Sequence, residues 1–351
     1  MEKFLKVLSI IGCVLLAFIC LTVMVVLHEL GHFIAGRKLG FKVNEFAVGM
    51  GPKIISKKLK SGLLLSLRLI PLGGFCAFEG EDEENPSPDA FNNHKPWKRL
   101  IVLFAGVFTN FVSAVVVLSL FFTFAGQMLP MIAPIEGDGI AEGIIEYGDI
   151  VVAVDGKKVQ MLEPSDFTKM LAGKDKATLT IIRDGEEMNV VLARHDLYDE
   201  NGELLKDMFG IRIGYTRQTF GFFESIWRAV KFSFFTAVKI LSGLGSLITG
   251  SAKVSETAGG PITMISGLTS IVATGFSNTI YIVCLFSVNL AIFNALPLPA
   301  LDGGRMVFTI IEWIRKKPIK RSVEAMIHFV GIVALFGMAI LFDIIQLINK
   351  I

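Results

Sequence analysis

The string His28-Glu29-Leu30-Gly31-His32 is the part of the sequence whose residue types and spacing most directly suggest chemistry. On a helix, residues i and i+4 project from the same face, so the two imidazoles can bind one metal ion. A catalytic zinc takes three protein ligands and one water, and a neighbouring carboxylate accepts the proton of that water. The string therefore predicts a zinc site with His28 and His32 as ligands and Glu29 as the general base.

A third ligand must come from elsewhere in the chain. The histidine candidates are His94, His195 and His328. The carboxylate candidate Asp302 ends a long uncharged stretch in which Pro297 and Pro299 must break a helix. Non-helical backbone within a membrane indicates that the segment lines a cavity. A cavity beside Asp302 favours this residue as the third ligand.

The composition requires a membrane to position these residues. The chain has 351 residues, 52% of them hydrophobic and 19% charged, with a mean hydropathy of +0.61, which excludes a soluble globule. Stretches long enough to cross a bilayer core of about 30 Å predict four spans. They lie at about 7–27, 100–124, 277–300 and 325–347. The net charge of +2 argues against nucleic acid as a partner, and the four cysteines form no disulfide or metal-binding pattern.

The segment 215–256 has apolar residues at helical spacing with basic residues among them. As a fifth span it would hold Lys239 near the middle of the bilayer, at a cost of about 2.5–3.5 kcal/mol. We therefore predict an amphipathic helix at the outer membrane surface, with a fifth span as the alternative.

The basic residues indicate the orientation. They cluster between spans one and two and again at 315–321, which predicts that both loops are cytoplasmic. Both termini and the segment 129–214 are then extracytoplasmic. Spans one and three end on the same side, where His28 and Asp302 can meet, whereas a five-span count would place Asp302 outside.

The segment 129–214 is predicted to be a small, mainly β domain. Strand-like runs at Asp149 to Val154 and Ala177 to Ile182 are each followed by an Asp-Gly turn, and a short helix is expected at Ser165 to Leu171. The predicted fold class is thus a polytopic α-helical membrane protein with four transmembrane helices and a small domain inserted between helices two and three. Its parts are 1–128, 129–214, 215–256 and 257–351.

Three motifs together resemble the site-2 protease family of intramembrane zinc metalloproteases. They are HELGH, Ala105 to Asn110 (AGVFTN) and Asn294 to Gly303. The chain looks closest to the bacterial branch that carries a PDZ domain between spans two and three, and residues 143–156 resemble the middle of such a domain. Where the family commonly has Pro after the glycine of the second motif, this chain has Val107.

The resemblance implies Zn²⁺ bound by His28, His32 and Asp302, with Glu29 as base, in a multi-pass protein of a bacterial plasma membrane. The substrates would be single-span membrane proteins cleaved within or beside their transmembrane helix. The PDZ-like domain would either bind a peptide or exclude bulky substrates.

A substrate helix must be unwound and held extended before its amides can be attacked. The apolar run 63–78, with its PLGGF string, is predicted to form strands with a turn, and the resemblance implies that it pairs with substrate by β-addition through Gly73 and Gly74. Asn294 and Asn289 on the third span are predicted to contact substrate, and Asn110 to pack between helices. The alternatives are a non-catalytic membrane adaptor, which would not need Glu29, and an ion transporter, which would leave the PDZ-like module unexplained.

Overall fold

A computed structural model describes residues 2–81, 87–135, 141, 143–198, 204–250 and 275–348, together with 263, 266, 267, 269 and 270. The chain divides into two compact units. The first comprises Met1–Val117 and Thr236–Ile351, and the second comprises Leu118–Phe235.

The helices follow the apolar stretches of the sequence. In chain order they are α1 (Glu2–Leu39), α2 (Pro96–Phe124), α3 (Ser165–Leu171), α4 (Phe222–Ile248), α5 (Phe276–Ala295), α6 (Asp302–Arg315) and α7 (Arg321–Ile348). Within the described residues, five helices are long and apolar enough to cross a membrane. Four of them, α1, α2, α5 and α7, match the predicted spans. The fifth is α4, which lies within the predicted amphipathic segment 215–256.

Two helix bounds differ from the predicted spans in ways that matter for the site. Helix α1 does not end near residue 27 but continues to Leu39, so HELGH lies inside a continuous helix. Helix α5 ends at Ala295 rather than near residue 300, because the prolines at 297 and 299 cannot continue it. Helix α6, which begins at Asp302, was not predicted.

The loop between α1 and α2 folds into two long antiparallel strands, β1 (Val43–Lys58) and β2 (Leu64–Phe78). The register fits the prediction of strands with a turn inside 63–78, because residues 64–67 pair with 45–48 in the same chain direction and residues 74–77 pair with them in the opposite direction. Strand β2 therefore reverses direction between residues 70 and 74, where Gly73 has a φ of +82°. A separate turn lies before β2, where the N–H of Leu59 donates to the carbonyl of Leu63. The pairing register shifts along the strands, so that Ala47 pairs with both Phe75 and Ser66. Residues 45–48 therefore lie between two segments of β2.

The second unit contains a mainly β domain, as expected. Its strands are β3 (Gln127–Pro134), β4 (Asp149–Val154), β5 (Lys157–Lys158), β6 (Lys176–Arg183), β7 (Glu186–Ala193), β8 (His195–Tyr198), β9 (Leu204–Met208) and β10 (Ile211–Gln218). The main sheet has the order β10-β3-β4-β6-β7, with β5 paired to β4. Positive φ angles at Asp155, Gly156, Asp184 and Gly185 fit the two Asp-Gly turns. The apolar faces of these strands and α3 form one core.

In the first unit, glycines allow α1 and α2 to approach closely. A Cβ at Gly31 would lie 2.4 Å from the carbonyl oxygen of Ala105, and a Cβ at Gly106 would lie 2.3 Å from His32 Nε2. Any larger side chain at either position would push the helices apart.

At one end of this helix group, buried Glu312 joins α2, α6 and α7. It accepts from Arg99 at 2.6 Å and pairs with Arg321 at 2.8 Å. Removing one partner from such a buried ion pair leaves an uncompensated charge, so this cluster fixes the three helices relative to one another.

Candidate metal centre

His28, His32 and Asp302 converge in the first unit of the structure. His28 Nε2 lies 2.9 Å and His32 Nε2 lies 3.2 Å from Asp302 Oδ2, and the two imidazole nitrogens are 3.1 Å apart. Both histidines are buried, and the Asp302 side chain is 18% exposed. The three atoms form a nearly equilateral triangle, and among the described residues they are the group that could hold a metal ion.

This triangle has the dimensions of a zinc site. Bonds of about 2.0–2.1 Å in tetrahedral geometry place ligand atoms roughly 3.3 Å apart, close to the separations observed. Two imidazoles and one carboxylate are a ligand set typical of a catalytic zinc, with a fourth position left for water. The residues present therefore fit the ion that the sequence predicts.

The tautomer of His32 suits a metal ligand. Its Nδ1 lies 2.8 Å from the carbonyl oxygen of Val102 on α2, and a carbonyl can only accept. The proton of the neutral ring is therefore on Nδ1, which leaves the lone pair of Nε2 directed into the triangle.

Asn110 on α2 gives His28 the corresponding partner. Its fully buried side-chain amide lies against His28 Nδ1, with Nδ2 at 3.3 Å, while its Oδ1 has no hydrogen-bond partner in the part of the chain that the structure describes. Rotating the amide by 180° about its terminal bond presents Oδ1 to His28, which then can hold its proton on Nδ1 and bind metal through Nε2. The sequence predicted helix packing for Asn110. The signal for this second role was an amide in an apolar span.

Glu29 is held by the edge of β2. The backbone N–H of Cys76 donates to its Oε2 at 3.0 Å. Glu29, His32, Asp302 and Cys76 line one cavity of about 460 Å³. A carboxylate beside a metal triangle, in a cavity with room for a peptide segment, can accept a proton from water during hydrolysis. The sequence could not show the Cys76 contact, because it is made by the backbone.

Asp302 reaches the histidines because α5 stops and α6 starts at the right place. Gly303 packs against the end of α5, where a Cβ would lie 2.0 Å from the carbonyl oxygen of Leu296, and a Cβ at Gly304 would lie 2.3 Å from that of Leu298. The Asp-Gly-Gly sequence thus lets α6 begin directly against the broken loop.

The predicted substrate residues lie at different distances from this centre. Asn294 Nδ2 is 3.4 Å from His28 Nε2, so Asn294 adjoins the triangle. Asn289 is one to two turns earlier on α5, with its Oδ1 buried and without a hydrogen-bond partner among the described residues. Gly73 has a φ of +82°, and a Cβ at Gly74 would lie 2.7 Å from the carbonyl oxygen of Ala47, so both glycines also shape β2.

The other histidines do not join the triangle. His94 stacks on the ring of Phe41 with centroids 4.0 Å apart, and burial lowers the pKa of its imidazole. His195 lies in β8 of the second unit. His328 lies on α7, where its Nδ1 accepts from the backbone N–H of Ala300.

Comparison with known proteins identifies the class. The sequence profile of Peptidase family M50 matches residues 16–338. The chain therefore belongs to this family, the site-2 proteases, as the three motifs suggested. It is a multi-pass membrane zinc metalloprotease, and Zn²⁺ is its cofactor.

Bacterial relatives match over nearly their whole length. A protein of Clostridium perfringens is 29% identical, covering 96% of this chain and 99% of the relative. One of Agrobacterium fabrum is 28% identical, with 94% of each covered, and one of Fusobacterium nucleatum is 29% identical, with 92% and 94% covered. Each carries the name of a provisional zinc metalloprotease.

The third ligand can be tested by metal analysis of purified variants. Asp302→Ala should lower bound zinc to well below one ion per chain, because two imidazoles alone bind zinc weakly. His94→Ala, which removes a stacked imidazole outside the triangle, is the matched control and should retain one zinc. Full zinc retention in Asp302→Ala, or loss in His94→Ala, would contradict this ligand set.

The role of Asn110 can be tested through zinc affinity. Asn110→Leu keeps the volume but removes the acceptor for His28, and we expect zinc affinity to fall about 10- to 100-fold. Asn110→Asp keeps an acceptor and should stay within a few-fold of the parent. Ser113→Ala, one turn along α2, is the control. Equal affinities for Asn110→Leu and Asn110→Asp would rule out this role.

Proposed function

We propose that this protein is an intramembrane endopeptidase that cleaves transmembrane segments of single-span membrane proteins. His28, His32 and Asp302 would bind the zinc, and Glu29 would be the general base. The observation that carries this proposal is the triangle of ligand atoms, built on helices apolar enough to span a membrane, with Glu29 beside it in one cavity. The biological role would be either regulated intramembrane proteolysis, which releases regulatory domains, or clearance of signal-peptide remnants. Both roles use the same hydrolysis.

In the proposed reaction each residue has a distinct task. Zinc, when bound, lowers the pKa of a water molecule to about 7 and polarises the substrate carbonyl. Glu29 accepts the proton of the attacking water and delivers it to the leaving amine, while the Cys76 N–H keeps its carboxylate oriented. Asn294, beside His28, can donate to the carbonyl oxygen as negative charge develops there.

Strand β2 would hold the substrate. Residues 74–77 pair with β1 on one side, and on the other the Cys76 N–H points toward Glu29. A substrate segment added along this edge would gain backbone hydrogen bonds in exchange for those of its own helix. Gly73 and Gly74 would leave its path clear of side chains.

We propose that the second unit carries a PDZ-like domain on the extracytoplasmic side. The six-stranded sheet and its one short helix support this proposal. Residues 143–156, which resemble the middle of such a domain, end in the Asp155-Gly156 turn. The domain would bind a peptide or exclude substrates with large outer parts.

The general base is tested with Glu29→Gln. The amide keeps the shape of the side chain but cannot accept a proton, so zinc should remain bound while cleavage of a transmembrane reporter falls about 10²- to 10⁴-fold. Glu45→Gln, a carboxylate on β1 that pairs with Arg68, is the control. Near-parent cleavage by Glu29→Gln would exclude the mechanism, and a cellular function that survives in this variant would favour a non-catalytic adaptor.

The proposed four-span topology must agree with the site. Because Asp302 lies 2.9 Å from His28, α5 must end on the same side of the membrane as HELGH. If the β domain lies outside, a single crossing by α5 between this domain and Asp302 places Asp302 on the side of HELGH. If α4 also crossed, residues 249–275 would have to cross back before α5 begins.

Single cysteines in a cysteine-free background distinguish these arrangements. With a membrane-impermeant thiol reagent on intact cells, we expect labelling at Ser165→Cys and none at Ser322→Cys until the membrane is opened. Ser246→Cys, near the end of α4, should be labelled equally before and after opening. An increase at Ser246→Cys on opening would mean that α4 crosses, and early labelling at Ser322→Cys would contradict the orientation.

A further inference from the structure

The loop between α5 and α6 holds an unfavourable backbone conformation next to the metal centre. Ala300 has a φ of +78°, in the left-handed region that residues with a Cβ rarely adopt. Such a conformation persists only where the surrounding structure holds it. Ala300 is two residues before Asp302, so whatever fixes this residue also fixes the start of α6.

His328 on α7 makes the contact that holds Ala300. The backbone N–H of Ala300 donates to His328 Nδ1 at 2.8 Å. A backbone N–H group can only donate, so the ring is in the tautomer whose Nδ1 is an acceptor. The ring of Phe308 on α6 lies 5.5 Å away and packs on the same imidazole.

Less than one turn along α7, Gly331 packs against the same loop. A Cβ at this position would lie 2.4 Å from Pro299 Cβ and 3.0 Å from the Pro299 carbonyl oxygen. Helix α7 thus contacts two consecutive loop residues, one through a side-chain acceptor and one through direct backbone packing. Its start is fixed independently by the pair between Arg321 and Glu312.

We infer that His328 is a positioning residue that sets the place of Asp302 in the metal triangle by holding the Ala300 N–H. Helix α7, most of whose surface is exposed apolar side chains, would then have a specific part in zinc binding in addition to anchoring in the bilayer. This inference rests on the proposed function in that it takes Asp302 as the third ligand. His328 itself does not bind the metal.

The test compares two substitutions in the purified full-length chain. His328→Asn places Oδ1 near the position of Nδ1 and keeps an acceptor, whereas His328→Phe keeps a ring of similar size and removes the acceptor. Phe329→Leu, at an exposed neighbouring position on α7, is the control. The measurements are zinc affinity by chelator competition, the visible absorption of the Co²⁺-substituted protein, and kcat and KM on a transmembrane reporter.

We expect His328→Phe to weaken zinc binding by about 10-fold or more, as for other groups that orient ligands, while still binding one zinc at saturation. Its Co²⁺ spectrum should change and its kcat should fall with KM within about twofold. His328→Asn should match the parent within about threefold, and Gly331→Ala, which displaces Pro299 without touching the imidazole, should also weaken zinc binding.

Parent-like zinc affinity and Co²⁺ spectrum in His328→Phe would overturn the inference. So would His328→Asn with zinc affinity as low as that of His328→Phe, because the acceptor would then not be what matters. Should His328→Phe fail to fold, His328→Asn and Gly331→Ala decide the question. If the zinc results follow this pattern but the parent does not cleave the reporter, the proposed substrate class fails and the positioning role stands.

Discussion

Three electron-rich atoms lie within 3.2 Å of one another among helices apolar enough to span a membrane, and the rest of the first unit accommodates this arrangement. Without a shared cation, grouping His28, His32 and Asp302 there would be costly. The triangle also requires the backbones around it to come unusually close. Gly31 and Gly106 allow this between α1 and α2, and Gly303 between α5 and α6. The glycines of the three motifs are therefore as much a part of the site as its proposed ligands.

Local spacing made half of this site predictable from the sequence. Residues i and i+4 share a helix face in any helix, so His28 and His32 could be paired without knowledge of the fold. Asp302 could be favoured because two prolines in the interior of an apolar helix interrupt its hydrogen bonds whatever the rest of the fold. Asn110 and the carbonyl of Val102 could not be assigned as partners of these histidines, because their contacts depend on how α2 packs against α1. His328 was a candidate ligand, but the structure shows it bonded to the loop.

The strands show the same division between local and long-range information. Asp-Gly turns place positive φ angles at fixed positions, and the strands around Asp155 and Asp184 formed where those turns predicted. The turn predicted inside 63–78 is also present, but the two segments that it joins lie on either side of residues 45–48. Nothing within 63–78 shows that partner. Helix α6 was missed because it begins at Asp-Gly-Gly, a sequence that favours turns, and is stabilised by packing of Gly303 and Gly304 against the loop before it.

Peptide hydrolysis inside a bilayer faces a backbone problem as well as a chemical one. A substrate helix satisfies its own amides, and in hydrocarbon those amides have no water to bond when the helix unwinds. An edge of β2 can replace these hydrogen bonds, and in the proposed reaction the same strand supplies the Cys76 N–H that orients Glu29. A substrate paired along β2 would therefore lie next to the general base. Because the Cys76 N–H already holds Glu29 without substrate, the strand that would replace the hydrogen bonds of an unwound helix also keeps the proton acceptor aligned in advance.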